Sequence, residues 1–161
     1  MKVQLDDTKM KNAEHTAGLK ILMVDDDEIC LFIQKRVVEL SAPCCKVQTA
    51  TNGKIALELL HRAAADKQSL PDIILLDLQM PVMNGTEFME AFLRADLPGK
   101  ERIAIVLLTS SVWESDKAYA MSLGVSHYLT KPFTVDSLER LLKSPHNKST
   151  PLVGATVLSR A

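Results

Sequence analysis

Two adjacent aspartates, Asp25 and Asp26, a third at Asp77, a threonine at Thr109 and a lysine at Lys131 each stand just after a run of apolar residues. Brought together, these residue types suit one chemistry, phosphoryl transfer to a carboxylate. Asp77 offers a nucleophilic carboxylate that can become an acyl phosphate. Asp25 and Asp26 add two more carboxylates, and three such groups in one cleft repel each other strongly enough to require a cation. Magnesium suits an all-oxygen site of that kind. Lys131 supplies a point charge for one phosphoryl oxygen, and Thr109 a hydroxyl donor for another.

The elements that must position these residues are legible as apolar runs. Ile21–Val24, Ile73–Leu76, Ile103–Leu108 and the shorter Tyr128–Leu129 are unbroken and bounded by polar or turn-forming residues, as buried strands are. Between them, apolar positions recur at helical spacing: Ile29, Ile33 and Val37; Ile55, Leu59 and Ala63; Phe88 and Phe92; Val135, Leu138 and Leu142. Strands alternating with amphipathic helices predict an α/β, doubly wound parallel sheet with helices on both faces. Lys46–Ala50 alternates polar and apolar, which fits an edge strand, whereas the runs before Asp25, Asp77 and Thr109 fit central ones. Ligands of such sheets bind beyond the carboxyl ends of the strands, where strand order switches direction. Every polar residue named above falls at such an end.

The stretches ILMVDDDE, PDIILLDLQMPVMNG, IVLLTSS and HYLTKPF, in that order, resemble the receiver domain of two-component response regulators, of the stand-alone, chemotaxis-regulator type. The separations fit as well: Asp77 follows Asp25 by 52 residues, Thr109 follows Asp77 by 32 and Lys131 follows Thr109 by 22. The resemblance covers roughly Leu19 to Lys143. It implies a flavodoxin-like (βα)5 three-layer sandwich with sheet order 2-1-3-4-5. It also implies that Asp77 accepts a phosphoryl group from a sensor histidine kinase or a histidine phosphotransfer protein. Asp26 would then be the direct carboxylate ligand of Mg2+, Asp25 would hold a metal-bound water, and Asp77 and the backbone carbonyl of Gln79 would complete the protein's share. Thr109 and Tyr128 would form the switch pair, Gln79 and Ser111 would tune hydrolysis, and the Lys131–Pro132 peptide bond would be cis. The surface read by a downstream target protein would be the fourth helix, fifth strand and fifth helix of that fold, residues 114–143. Pro81 and Gly85 fit the loop after the acceptor strand, one with a fixed φ and one with a permissive φ. Asp27, beside Glu28 and Ile29, suits a helix N-cap better than a metal ligand.

Length and composition agree with one small domain. The chain has 161 residues, 47% of them apolar, and a net charge of −1. That charge gives no basic excess to suggest a nucleic-acid partner, and no apolar run approaches the ~20 residues a membrane span needs. The N-terminus lacks an apolar signal core, which predicts a cytoplasmic location. Residues 1–18 are expected to be a flexible leader, 19–143 the receiver domain and 144–161 a flexible tail rich in Ser, Thr and Pro. Three cysteines, Cys30, Cys44 and Cys45, make neither a disulfide framework nor a zinc motif. The histidines are scattered, with His127 expected at the surface or an edge; Met80 and Met83 fit loop packing, and Trp113 fits an exposed position above the cleft.

Each candidate has a duller explanation when taken alone. An Asp-Asp pair is often a solvated turn, a strand-end Thr or Lys often an ordinary surface residue, and a strand aromatic such as Tyr128 usually core. Assembled, they predict a phosphoacceptor signalling switch rather than a turnover enzyme, present as a monomer or weak dimer. Two rivals use similar residues. A phosphohydrolase of the haloacid-dehalogenase type needs a second Asp two residues after its nucleophile, where this chain has Gln79. A receiver-like scaffold would bind partners without being phosphorylated.

Overall fold

A computed structural model of the chain describes residues 16–109, 118–119 and 121–143. Five parallel strands, β1 (Lys20–Val24), β2 (Lys46–Ala50), β3 (Ile73–Asp77), β4 (Ala104–Thr109) and β5 (His127–Thr130), form one sheet in the order β2-β1-β3-β4-β5. The described helices are α1 (Glu28–Ser41), α2 (Gly53–Ala65), α3 (Gly85–Arg94) and α4 (Val135–Lys143), with a 3-10 turn at Lys100–Arg102. This is the flavodoxin-like topology, with the alternating strand β2 at one edge.

The three layers follow from the two-residue period of a strand, which sends successive side chains to opposite faces. Ile21, Met23, Ile73, Leu75, Val106 and Leu108 turn one way and pack with Leu31 and Val38 of α1 and Leu138 and Leu141 of α4. Leu22, Val24, Ile74, Leu76, Ile105 and Leu107 turn the other way, onto Ala56 and Leu60 of α2 and Phe88 and Phe92 of α3. All five residues of β3 are buried. Burying one Leu or Ile side chain fully contributes ~1.5–3 kcal/mol, so the strand that ends in Asp77 is anchored from both faces.

Helix starts are specified locally. Asp27 accepts hydrogen bonds from the backbone N–H of Ile29 at 2.9 Å and of Cys30 at 3.1 Å, which caps α1. Asn52 caps α2 through Ile55 N–H. Asn84 and Glu87 form a reciprocal capping box at α3, with bonds of 2.9 and 2.8 Å.

Three expectations are corrected. The inward face of α1 is Leu31, Gln34, Val38 and Ser41, with Val37 half-buried against the same cluster, whereas Ile29, Phe32, Ile33 and Leu40 are exposed. Apolar residues occupy so much of this helix that more than one stripe has the right period, and only packing against the sheet selects among them. For the same reason α2 buries Ala56 and Leu60, and Ile55 is exposed. The expected leader, residues 1–18, cedes its last three residues to the body: Thr16 is buried, and Gly18 N–H donates to the Cys44 carbonyl. The rest of that segment and the expected tail lie outside the described residues.

His127 is buried on edge strand β5 rather than at the surface. Met80 joins the core and Met83 packs against it. Among the described residues the three cysteines are free, and no helix is long and apolar enough to cross a membrane.

Candidate functional site

The parallel register brings the chemistry to one edge of the sheet. Val24 pairs with Leu76 and Asp77 with Leu108, so β1, β3 and β4 end side by side. Asp25 extends the β1 ladder by donating its N–H to the Ala50 carbonyl at 3.1 Å, and Lys131 N–H extends β5 onto the Thr109 carbonyl at 2.8 Å. Residues distant in sequence thereby become neighbours. Carboxylate oxygens of Asp25, Asp26 and Asp77 all lie within 4.8 Å of one another.

Asp25 is fully buried and well held. Its Oδ2 accepts from Lys131 Nζ at 2.7 Å and from Gln34 Nε2 at 3.3 Å, and its Oδ1 accepts from Asp27 N–H at 3.0 Å. Asp26 is exposed and Asp77 buried. Lys131 Nζ also pairs with Asp77 Oδ2, at 3.4 Å.

These contacts set the protonation states. Burial pushes the Asp77 carboxyl above the usual carboxylate range; the Lys131 charge opposes this and the Asp25 charge adds to it. Burial also pulls the Lys131 ammonium down, but its hydrogen bond to Asp25 and the charges of Asp77 and Asp25 outweigh that and hold it above the ordinary lysine value. Asp27 is lowered, first by its bonds to Cys30 in the cap. It is engaged with the helix rather than with the carboxylate cluster.

Thr109 ends β4 half-buried and pairs in register with Thr130, and Tyr128 is half-buried on β5 opposite Leu107, against the core. The Lys131–Pro132 peptide bond is cis. Gln79 is exposed in the loop after β3, where its backbone favours the charged form of the Asp77 carboxyl. Ser111 and Trp113 lie outside the described residues, as do residues 114–117 and 120 of the expected reading surface.

The loop after Asp77 corrects a further expectation. The positive φ belongs to Val82, at 72°, and not to Gly85. Gly85 is needed for close approach instead: a Cβ there would lie 2.5 Å from the Asp77 carbonyl oxygen and 2.8 Å from Leu78 Cα.

One participant escaped sequence reasoning altogether. Gln34 directly follows the apolar run Ile29–Ile33, but that run lies inside a helix and has no strand end beside it. Its only signal is register, since a polar residue three after Leu31 and four before Val38 must share their inward face.

Comparison with known proteins agrees with this geometry. The family model described as "Response regulator receiver domain" matches residues 21–143. A protein-glutamate methylesterase/protein-glutamine glutaminase of Treponema pallidum is 35% identical over 132 residues, covering 80% of this chain and 29% of its own length. Response regulator SaeR of Staphylococcus aureus is 33% identical over 71% of this chain and 44% of its own. The chain thus spans less than a third of the first relative and under half of the second. Among solved structures, a two-component response regulator from Cytophaga hutchinsonii aligns with a TM-score of 0.69 at 30% identity, covering 78% of this chain and 94% of that one. The phosphorylated cyanobacterial phytochrome response regulator RcpA aligns at 0.65 and 29% identity, covering 79% and 90%. Strand order, the acidic cluster and the matched span all lead to one conclusion: the chain belongs to the response-regulator receiver-domain family.

Proposed function

We propose that this chain is a phosphoacceptor switch. Asp77 takes a phosphoryl group from the phosphohistidine of a sensor histidine kinase or a histidine phosphotransfer protein, and the altered surface controls a downstream target protein. The observation that carries this reading is the Lys131 ammonium between two buried carboxylates, 2.7 Å from Asp25 and 3.4 Å from Asp77, with Asp26 in the same cluster. A purely structural ion pair has no need of the third carboxylate.

In the transfer, a P–O bond forms to Asp77 as the donor's P–N bond breaks, and the bonding pair stays on the imidazole nitrogen, which takes a proton. Lys131 offers its charge to one phosphoryl oxygen and Thr109 its hydroxyl to another. The all-oxygen cluster fits Mg2+, because three carboxylates share one positive side chain and burial disfavours charge on Asp77. Asp25, Asp26, Asp77 and the Gln79 carbonyl would hold the ion. When bound, it offsets negative charge gathering on the phosphoryl oxygens.

Signalling follows from differential contacts. A phosphoryl group on Asp77 draws Thr109 toward it, Tyr128 fills the space left, and an alternative conformation of residues 114–143 gains population. Gln79 and Ser111 tune how long the phosphoryl group lasts.

The test is incubation with Mg2+ and a small acyl phosphate, followed by intact-mass measurement. The unsubstituted chain should gain one phosphoryl group and Asp77→Asn none; label persisting on Asp77→Asn at full stoichiometry refutes the assignment. A scaffold would gain nothing, and a phosphohydrolase would consume the acyl phosphate continuously. Thr109→Ala should still be labelled yet no longer couple label to partner binding.

A further inference from the structure

We propose that Gln34 is a positioning residue of this site: it holds the Asp25 carboxylate while Lys131 leaves it for a phosphoryl group on Asp77. The inference rests on the phosphoacceptor reading above and deepens it.

Gln34 lies on the inward face of α1 between Leu31 and Val38 and is 5% exposed. Its Nε2 donates to Asp25 Oδ2 at 3.3 Å. An ionised carboxylate only accepts hydrogen bonds, so the amide must turn its N–H group toward Asp25 and its oxygen away. Among the described residues that oxygen, Oε1, is buried without a donor. For packing alone the amide is therefore a poorer choice than a methionine of similar shape, because a buried unsatisfied acceptor is costly. A residue that breaks a local rule beside a site is where function is expected to be the compensation.

The geometry supplies the function. Lys131 Nζ is 2.7 Å from Asp25 Oδ2 and 3.4 Å from Asp77 Oδ2, so the ammonium rests on Asp25 while Asp77 is unmodified. A phosphoryl group on Asp77 adds charge and pulls the ammonium toward it. Asp25 is 0% exposed, so no bulk water can replace a departing donor at Oδ2. Gln34 remains at that oxygen, and Asp27 N–H remains at Oδ1. The carboxylate thus stays compensated and keeps its orientation, and the ammonium is released more easily than from an oxygen it alone serves.

The experiment compares the full chain with Gln34→Met and Gln34→Leu, using acetyl phosphate as donor at saturating Mg2+. The maximal labelling rate should fall about tenfold in both variants, the effect of one hydrogen bond to a charged group. The half-saturating donor concentration should stay unchanged, and the thermal midpoint should hold or rise. In a Lys131→Met background, adding Gln34→Met should bring no further loss, because the two residues act on one oxygen. Unchanged rates in both variants would overturn the inference. So would the same tenfold loss repeated without Lys131, or a rate loss that tracks a lowered midpoint, since each marks Gln34 as a packing residue. A wild-type chain that takes no label overturns the phosphoacceptor reading itself, whereas full label on wild type and variants alike defeats the role of Gln34 alone.

Discussion

Lys131 and Asp25, 106 residues apart, form an ion pair of 2.7 Å in which the aspartate side chain is almost wholly enclosed and the lysine side chain only 12% exposed. Removing one partner of such a pair strands the other charge. Lys131→Met should therefore destabilise the protein by ~3 kcal/mol, the usual cost of an uncompensated buried charge, and should slow labelling as well. Urea denaturation measures the first effect and acyl-phosphate kinetics the second; a variant as stable as wild type would show that the pair contributes nothing to the fold.

Asp77 titrates in the opposite sense to a salt-bridged acid. Burial raises its pKa in the folded chain, so between the unfolded value of ~3.9 and the higher folded one the native state binds the extra proton. The protonation term is thus fully present below the unfolded value and lost as pH rises through the folded one. Asp77→Asn removes the charge at every pH. Without divalent metal at pH 7 it should be more stable than wild type, and the gap should close as pH falls toward ~4. Parallel denaturation series across pH check this, and a gap that widens in acid would refute it.

Asp26 separates metal binding from folding. It is exposed and carries none of the anchoring bonds that hold Asp25. Asp26→Asn should leave metal-free stability within ~0.5 kcal/mol of wild type while weakening Mg2+ binding at least about tenfold. In wild type, Mg2+ at 100 times its dissociation constant should add ~2.7 kcal/mol to stability. Thermal midpoints with and without Mg2+ would show both; an equal Mg2+ response in the two proteins would exclude Asp26 as a ligand.

The loop after the acceptor strand offers a paired test. Val82 is a β-branched residue at φ 72° and is 77% exposed. Its strained backbone, with no burial to offset it, means that Val82→Asn should stabilise the fold by ~1 kcal/mol. Gly85→Ala should do the reverse, costing more than ~2 kcal/mol, because its Cβ meets the Asp77 backbone and neither can yield without moving the acceptor. Denaturation midpoints of the two variants should move in opposite directions.

Much of this was legible in the chain because buried parallel strands are written as unbroken apolar runs, and each such run here stops at a residue with chemistry. Asp25, Asp77 and Lys131 could be grouped without coordinates for that reason. The helix faces were harder to read. In α1 apolar residues occupy Ile29, Leu31, Phe32, Ile33, Val38 and Leu40, and a period seen in such a crowded stretch does not choose a direction. Gln34 was missed because its role depends on where that face points, which is a tertiary fact. The strain at Val82 was missed because φ depends on how a loop must close and not on its neighbours' identities. Gly85 was singled out rightly as special, but for conformational freedom, when the actual constraint is the space taken by Asp77.

The strand order has a consequence for how the protein comes into being. No two neighbouring strands are joined by a hairpin; every ladder is parallel and closes a long stretch of chain, which makes nucleation slow and the last steps cooperative. Asp25, Asp77 and Lys131 arrive from the ends of the first, third and fifth strands, so a half-assembled sheet cannot bring the three together. On the phosphoacceptor proposal, a polypeptide still emerging or partly unfolded would be silent, and competence would appear only when assembly is complete.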